Sequence, residues 1–407
     1  MVLNYLLKQQ ILKLASITFI FLFSFSACAK ENKEVASSKI NIESRKNISR
    51  AISSEIKKNS FPANMQITIN DDNENYKVEY TLDKKLQKQA NDLLSHYKPD
   101  YGAIFMIDAE TGKVLAMASQ EKNNPAGENL NLKATFPAAS VFKVVTATAA
   151  VDFAKVDPQH KIAFNGGNYT LYKKNVLSDK INRWTKFITL KDAFAKSINT
   201  AFGRLTIENL NPQVISDYAE KFMFNTQIPT DFNVEKSQAT VPKEKGFELT
   251  QVASGYNRQN TMSPVHGAMI ASAIINEGKM VSPYIVDHVK NEKNETVYTG
   301  KSFFNEPVMS KISAGKIQSM MEQTVLNGTS RKTFRQMIKD KRFQEVEMGG
   351  KTGHFSGTNP RGTTDWFVGY ATNGDSKIAI ATITVNVKQW TVKSSALAQM
   401  MFKKYYE

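Results

Sequence analysis

The apolar positions of the chain open with one unbroken run and then settle into two periods, and this order predicts how the chain is organised. The run spans Leu14 to Ala27, behind Lys8 and Lys13 and with small residues just before Cys28. It is shorter than the ~18 apolar residues that a membrane-crossing helix requires, and with its basic flank it reads as a signal peptide over residues 1–27. Residues 28–65 are rich in Lys, Glu, Ser and Asn with isolated isoleucines. Such a composition buries too little apolar surface to fold alone and predicts a flexible tether. Periodic structure begins at about Gln66 and continues without an internal repeat, which predicts one folded domain over residues 66–407.

Within that domain the spacing of Leu82, Leu86, Ala90, Leu93 and Leu94 predicts a helix from Leu82 to His96. Tyr101 to Ile107 and Val114 to Ala118 then read as two strands, joined through Gly112 as in a hairpin. An Ala and Val-rich helix is expected from Ser140 to Ala154, after Pro137, and a second from the Thr189 N-cap to Ile207. Ser263 and Pro264 open a helix that Gly278 closes, and Gly328 ends another over Ser313 to Asn327. Alternation returns in Glu347 to Thr352, Asp365 to Ala371 and Lys377 to Asn386, before a closing helix from Ser394. Strands, then helices, then strands imply an α+β sheet whose members come from opposite ends of the chain.

Composition narrows the functional classes. A chain of 407 residues with 41% hydrophobic content is globular and can bury one large core or two modest ones. The formal charge of +15 is spread among acids, with neither a basic stripe nor an RNA-binding signature, so nucleic acid is excluded as a partner. Charge of this sign instead favours anionic lipid and cell-wall polymer. The single cysteine, Cys28, rules out an internal disulfide and any Cys-based metal site, and neither a metal nor a cofactor is expected. Phe25-Ser26-Ala27-Cys28 looks like a bacterial lipobox with Phe25 where Leu is usual, which makes Cys28 the candidate lipidation site.

Three short motifs carry chemistry. Ser140 and Lys143 form an SxxK tetrad that puts a hydroxyl and an amine one helical turn apart on one face. Ser54, Ser95, Ser119 and Ser313 also precede a lysine by three positions, but only Ser140 leads into an apolar helix that would bury its base. A free lysine, with a pKa of about 10.4, is a poor base at neutral pH, and desolvation or a neighbouring cation lowers it. Ser197-Ile198-Asn199 is the one SxN triplet; side chains two apart on a helix diverge, so both reach one cleft only from a connecting turn. Lys351-Thr352-Gly353 is the one KTG, behind Gly349 and Gly350, whose lack of a side chain allows close approach of a second backbone. The Lys351 ammonium can attract a carboxylate and can depress Lys143 by like-charge repulsion.

SxxK, SxN and KTG in this order, with a strand pair before them and Asp365-Trp366-Phe367-Val368-Gly369-Tyr370 after, resemble the transpeptidase domain of penicillin-binding proteins, a superfamily shared with the serine β-lactamases. The resemblance runs from about Gln66 to the C-terminus. It implies a five-stranded antiparallel sheet flanked by helices, a helical subdomain, and an active site between them. It implies that Ser140 attacks, Lys143 acts as base, Ser197 relays a proton and Asn199 holds the substrate backbone. Lys351 and Thr352 would bind the terminal carboxylate, beside Gly353. The backbone NH groups of Ser140 and His354 would form the oxyanion hole. Its expected partners are peptidoglycan stem peptides, β-lactam antibiotics, a bacterial membrane reached through the lipid anchor from outside the cytoplasm, and a separate glycosyltransferase. The chain departs from the family in carrying His354 where Thr or Ser commonly follows KTG, and in showing no glycosyltransferase domain and almost no room for a pedestal domain.

The activity expected from the resemblance is peptidoglycan D,D-transpeptidation. The runner-up is a class D-like β-lactamase, a class that usually carries an apolar residue where this chain has Asn199. A D,D-carboxypeptidase differs only in that water accepts the acyl group. A β-lactam sensor domain is the non-enzymatic alternative, and it would need a membrane-crossing partner segment. Five histidines without a GxSxG elbow argue against a Ser-His-Asp hydrolase.

Overall fold

The computed structural model describes residues 42–69, 72–303, 306–358, 360–374 and 376–407. The expected signal peptide and Cys28 lie outside the described residues. Two larger sheets are built from β1 (Asn64–Ile69), β2 (Asp72–Tyr80), β3 (Tyr101–Asp108), β4 (Val114–Glu121), β5 (Val286–Lys290), β6 (Thr296–Thr299), β7 (Glu347–Thr358), β8 (Arg361–Asn373) and β9 (Ser376–Asn386).

The central sheet has the order β7-β8-β9-β3-β4, antiparallel throughout, and its closure pairs Ala379 with Ile107 and Ile383 with Ala103. Chain ends therefore meet in the middle of the sheet, as the strand, helix, strand order implies. Successive side chains of a strand point to opposite faces, and here they feed two cores. Phe105, Ile107, Val368 and Ala381 pack with Val265, Ala268 and Met269 of the helix Pro264–Ile275. Ile104, Met106, Ile378 and Ile380 pack with Leu86 and Leu94 of Lys84–Tyr97 and with Leu397 and Phe402 of Ser394–Tyr406. A sheet covered on both faces explains why β3 and β9 read as nearly continuous apolar runs.

The expected tether over 28–65 is corrected from residue 42 onward. Ile42–Lys57 is an α-helix, and Ile48, Ile52 and Ile56, spaced by four, form one buried stripe. These isoleucines are too few to fold the segment alone, but a larger body covers them. Next to the helix stands a small sheet of order β1-β2-β5-β6, made from the start of the described chain and a hairpin inserted at 286–299. That sheet occupies the place where the sequence suggested almost no room for a further layer.

Two predicted helices are also reshaped. The segment expected as one helix from Ser140 to Ala154 is a 3-10 turn (Ala139–Phe142), an α-helix (Lys143–Thr148) and a π turn (Ala149–Phe153). The segment from Thr189 to Ile207 is broken into Leu190–Ala195 and Asn199–Asn209, with Ser197 at a φ of 55° between them. Among the described residues no helix is long and apolar enough to cross a membrane.

Candidate active site

Ser140 is presented by a forced backbone. Ala139 before it has a φ of 49°, and Gly255, at a φ of 63°, presses against it so closely that a Cβ there would stand 1.8 Å from the Ala139 carbonyl oxygen. Only glycine fits that contact. The Trp366 indole fixes the preceding turn, donating from Nε1 to the Pro137 carbonyl at 2.9 Å.

Lys143, one turn after Ser140, is fully buried. Its Nζ lies 2.8 Å from Ser140 Oγ, 2.7 Å from Asn199 Oδ1 and 2.5 Å from the Ser254 carbonyl oxygen. An ammonium would donate to all three. A neutral amine has two N–H bonds and one lone pair, so with Asn199 and Ser254 as acceptors its lone pair is left for the Ser140 hydroxyl. Burial first, and the charge of Lys351 second, hold Lys143 well below the ordinary lysine value. Among the described residues no carboxylate pairs with either lysine.

The break at Ser197 solves the divergence of the SxN triplet. Because Ser197 is in the left-handed region and Asn199 begins the next helix, both side chains face the cleft. Asn199 uses both ends of its amide within the protein: Oδ1 accepts from Lys143, and Nδ2 donates to the Tyr169 carbonyl at 2.9 Å. Ser197 Oγ accepts from Lys351 Nζ at 2.9 Å, and Lys351 also donates to the Thr352 carbonyl at 2.8 Å. Burial pushes Lys351 down to about 7.

The KTG triplet lies on the edge strand β7. Gly353 lies against Val141 and Ala139, where a Cβ would come within 3.2 Å of the valine side chain. Thr352 and His354, two apart on the strand, line the same cleft. Thr352 Oγ1 is 2.6 Å from Thr329 Oγ1. His354 lies opposite Asp365 in the sheet register and packs against Trp390, with ring centroids 5.2 Å apart and the planes tilted by 37°. Burial and the nearby Lys393 lower its pKa, so the imidazole is neutral at neutral pH. The cleft has a volume of about 670 Å³.

Ser140, Lys143, Ser197, Asn199, Lys351, Thr352, Gly353 and His354 are thus brought together. Sequence reasoning missed the Ser254 carbonyl, Gly255, Tyr169 and Thr329. A backbone acceptor carries no identity in a sequence; Gly255 offered only the general turn signal of a glycine. Chemically the arrangement can deprotonate a serine, deliver it to an acyl carbon, and offer the hydroxyls of Ser197 and Thr352 to a bound group, with the buried Lys351 bonded to the first of them. Among the described residues no group of three His, Cys, Asp or Glu side chains is placed to bind a metal.

The chain is similar to known proteins over most of its length. The family model described as "Penicillin binding protein transpeptidase domain" matches residues 102–407. Over 346 residues the chain is 24% identical to the peptidoglycan D,D-transpeptidase PbpA of Mycolicibacterium smegmatis, covering 75% of this chain and 66% of that protein. Its match to the stage V sporulation protein D of Bacillus subtilis, at 22% identity, covers 68% of this chain and 44% of the longer relative. The chain therefore spans about half to two thirds of these curated relatives. Penicillin-binding protein A of M. tuberculosis, solved as an imipenem acyl-enzyme complex, superposes with a TM-score of 0.66 at 22% identity, over 81% of this chain and 79% of that one. A D,D-transpeptidase domain from Eggerthella lenta gives 0.64 at 25% identity, over 81% and 82%. With its family model spanning the sheet and all three motifs, the chain belongs to the penicillin-binding protein transpeptidase domain family.

Proposed function

We propose that the protein is a peptidoglycan D,D-transpeptidase working through an acyl-enzyme on Ser140, and that the buried Lys143 amine 2.8 Å from Ser140 Oγ carries this reading. In the proposed reaction neutral Lys143 takes the hydroxyl proton as Ser140 Oγ attacks the carbonyl of the penultimate D-Ala. The backbone NH groups of Ser140 and His354 receive the developing oxyanion, and such donors are worth about 2.7 to 4 kcal/mol each. Lys351 and Thr352 take the terminal carboxylate. Ser197 gives its hydroxyl proton to the departing D-Ala amine as the peptide bond breaks, and takes one back from the Lys351 ammonium bonded to it. The amine of a second stem peptide then attacks the ester and loses a proton to the now neutral Lys351 through Ser197, while Lys143 returns its proton to Ser140 Oγ as the ester bond breaks, leaving a cross-link and both lysines as they began. Asn199 holds the Lys143 lone pair on the serine. Relatives named as D,D-transpeptidases and solved relatives captured as β-lactam acyl-enzymes support this assignment.

The enzyme would act outside the cytoplasm, held to the membrane by a diacylated Cys28 and supplied with glycan by a separate glycosyltransferase. Two acyl chains anchor stably where one binds only marginally. Palmitate labelling of the wild type and Cys28→Ala tests the anchor, and equal labelling of the two would end it.

Benzylpenicillin followed by peptide mapping tests the nucleophile. The expected result is a long-lived adduct on Ser140. An adduct on Ser54, Ser95, Ser119 or Ser313, or on none, overturns it. A D-Ala-D-Ala peptide with and without an acceptor amine separates transfer from hydrolysis, and rapid penicillin hydrolysis would assign a β-lactamase instead.

A further inference from the structure

Outside the cleft, the excursion between the paired strands Lys161–Phe164 and Lys186–Thr189 turns large apolar side chains to solvent. Tyr169 is 65% exposed, Tyr172 56%, Ile181 70%, Trp184 71% and Phe187 59%. Single exposed apolar residues are ordinary, but a concentration of this kind in one short segment marks an interaction surface. Five basic residues stand among them, Lys173, Lys174, Lys180, Arg183 and Lys186, against the single acid Asp179. The Arg183 guanidinium lies over the Trp184 ring at 4.8 Å.

The segment is built as a unit. Asn165 donates from Nδ2 to the Lys180 carbonyl at 3.0 Å and accepts from Thr185 Oγ1 at 2.9 Å. Lys186 Nζ donates to the Gly166 carbonyl at 3.1 Å. These bonds fold the Ile181 and Trp184 tip back beside residues 165 and 166, a few residues before Tyr169. The base of the segment is fastened to the helix that begins at Asn199: the Asn199 amide donates to the Tyr169 carbonyl, and the Thr200 hydroxyl lies 2.9 Å from the carbonyl oxygens of both Gly167 and Thr170, its one hydrogen serving either. Tyr169 itself lines the cleft with Ser140. Tyr169 therefore joins this segment to the reactive site.

We infer that this surface is a docking site for the glycan strand of peptidoglycan with its anionic stem peptides. Aromatic faces carry a negative quadrupole that attracts the polarised C–H bonds of sugar rings, and the lysines and Arg183 meet the stem carboxylates. Trp, Tyr and Arg are also the side chains that dominate binding surfaces of this kind. The inference rests on the peptidoglycan reading of the cleft. Aromatic and basic residues together also suit an anionic bilayer, but lipid lying on a segment joined to the cleft by Tyr169 would close the cleft to a bulky polymer. A strand lying along it would instead lead a stem peptide towards Ser140.

The test is co-sedimentation of the full chain with insoluble peptidoglycan sacculi, with phosphatidylglycerol vesicles as a second arm and benzylpenicillin acylation of Ser140 as an independent readout. Trp184→Ala combined with Arg183→Gln should weaken sacculus binding about tenfold, the loss of one hot-spot contact. Arg183→Glu, which keeps the ring, should weaken it as well, and added salt should weaken the wild type. Vesicle binding and the acylation rate should match the wild type in both variants, which also shows that they are folded. Unchanged sacculus binding overturns the inference, and a loss confined to vesicles assigns the surface to a bilayer and overturns it equally. Wild type that resists benzylpenicillin would sink the transpeptidase reading on its own, while the sacculus arm still reads the surface.

Discussion

Ser197, held at a φ of 55°, puts its hydroxyl 2.9 Å from the Lys351 nitrogen, and the strained backbone and this hydrogen bond are two sides of one arrangement. A residue other than glycine in the left-handed region costs about 1 to 2 kcal/mol. Relaxing Ser197 into a helical conformation would join its two flanking helices and turn the hydroxyl away from Lys351. Strain at a candidate reactive group therefore has a local structural reason.

The two sides can be separated by mutation. Ser197→Gly should leave the unfolding free energy within about 1 kcal/mol of wild type, because relief of the left-handed conformation is offset by loss of the bond to buried Lys351, while slowing acylation by benzylpenicillin at least tenfold. Chemical denaturation and stopped-flow acylation of the same samples measure both. A variant that is equally fast would remove Ser197 from the proposed proton relay.

Gly255 makes a sharper case. Its φ of 63° and the 1.8 Å approach of a Cβ to the Ala139 carbonyl leave no place for a methyl group. Gly255→Ala should displace the turn that carries Ser140, lowering acylation by two orders of magnitude or more with a loss of stability on the order of 2 kcal/mol. Acylation within a few-fold of wild type would mean that the turn is free to move.

The two lysines make both reaction and stability depend on pH. Lys143 must be neutral to accept the proton, and burial followed by the Lys351 charge holds it well below the ordinary value. The acylation rate should therefore rise with pH through an apparent pKa well under the usual ~10.4, and Lys351→Ala, by removing the second cause, should move that pKa upward. For stability, burial holds Lys351 at about 7 in the folded protein, against the 10.5 of an exposed lysine. Between those values the unfolded chain binds more protons, so stability rises with pH across this window. Lys351→Met should flatten that rise in urea titrations run from pH 7 to pH 10. A wild-type profile that falls over this range would contradict the burial of both groups.

Much of the site was legible because its residues keep fixed spacings on predictable elements. Ser140 and Lys143 sit one turn apart on any helical path, so the 3-10 and π distortions around them do not alter their pairing. The two-residue offset of Ser197 and Asn199 put both in one cleft only on condition of a turn, while the spacing from Thr189 to Ile207 still read as one unbroken helix. What could not be read was whatever depends on backbone atoms or on partners distant in the chain. The Ser254 carbonyl reaches Lys143 across 111 positions, and nothing in a serine codon announces an acceptor. The helix Ile42–Lys57 was missed because its apolar stripe is one residue wide, and its burial depends on strands that come later in the chain.

That helix supplies a test of the corrected boundary. Ile52 is buried at mid-helix between Ile48 and Ile56. Truncation of a buried isoleucine costs about 2 to 5 kcal/mol. Ile52→Ala should therefore destabilise the folded protein by about 2 kcal/mol or more without changing the acylation rate of the fraction that remains folded. A variant as stable as wild type would restore the reading of a free tether.

His354 is the residue where chemistry and family pattern part, and its environment makes the consequence calculable. The ring packs against Trp390 and is kept neutral by burial and by Lys393, so it offers no cation to a carboxylate at the pH where Lys143 is a base. Nor does it supply the hydroxyl that commonly follows KTG. A hydrogen bond to a charged group is worth about 1.5 to 3 kcal/mol, or roughly 10 to 150-fold in rate. Thr352 on the same strand face already presents one hydroxyl, shared with Thr329 at 2.6 Å, so the gain from a second belongs at the low end. His354→Thr should speed benzylpenicillin acylation of Ser140 at about pH 7.5 by roughly tenfold, read as a second-order rate constant with circular dichroism on both proteins. Acidifying the wild type cannot substitute for the mutation, because protonating His354 requires a pH below its ordinary 6.5, where Lys143 also tends towards its charged, inactive form. An unchanged rate would mean that the imidazole serves only its packing against Trp390. A slower one would make His354 a specificity element that recognises its substrate through the ring itself.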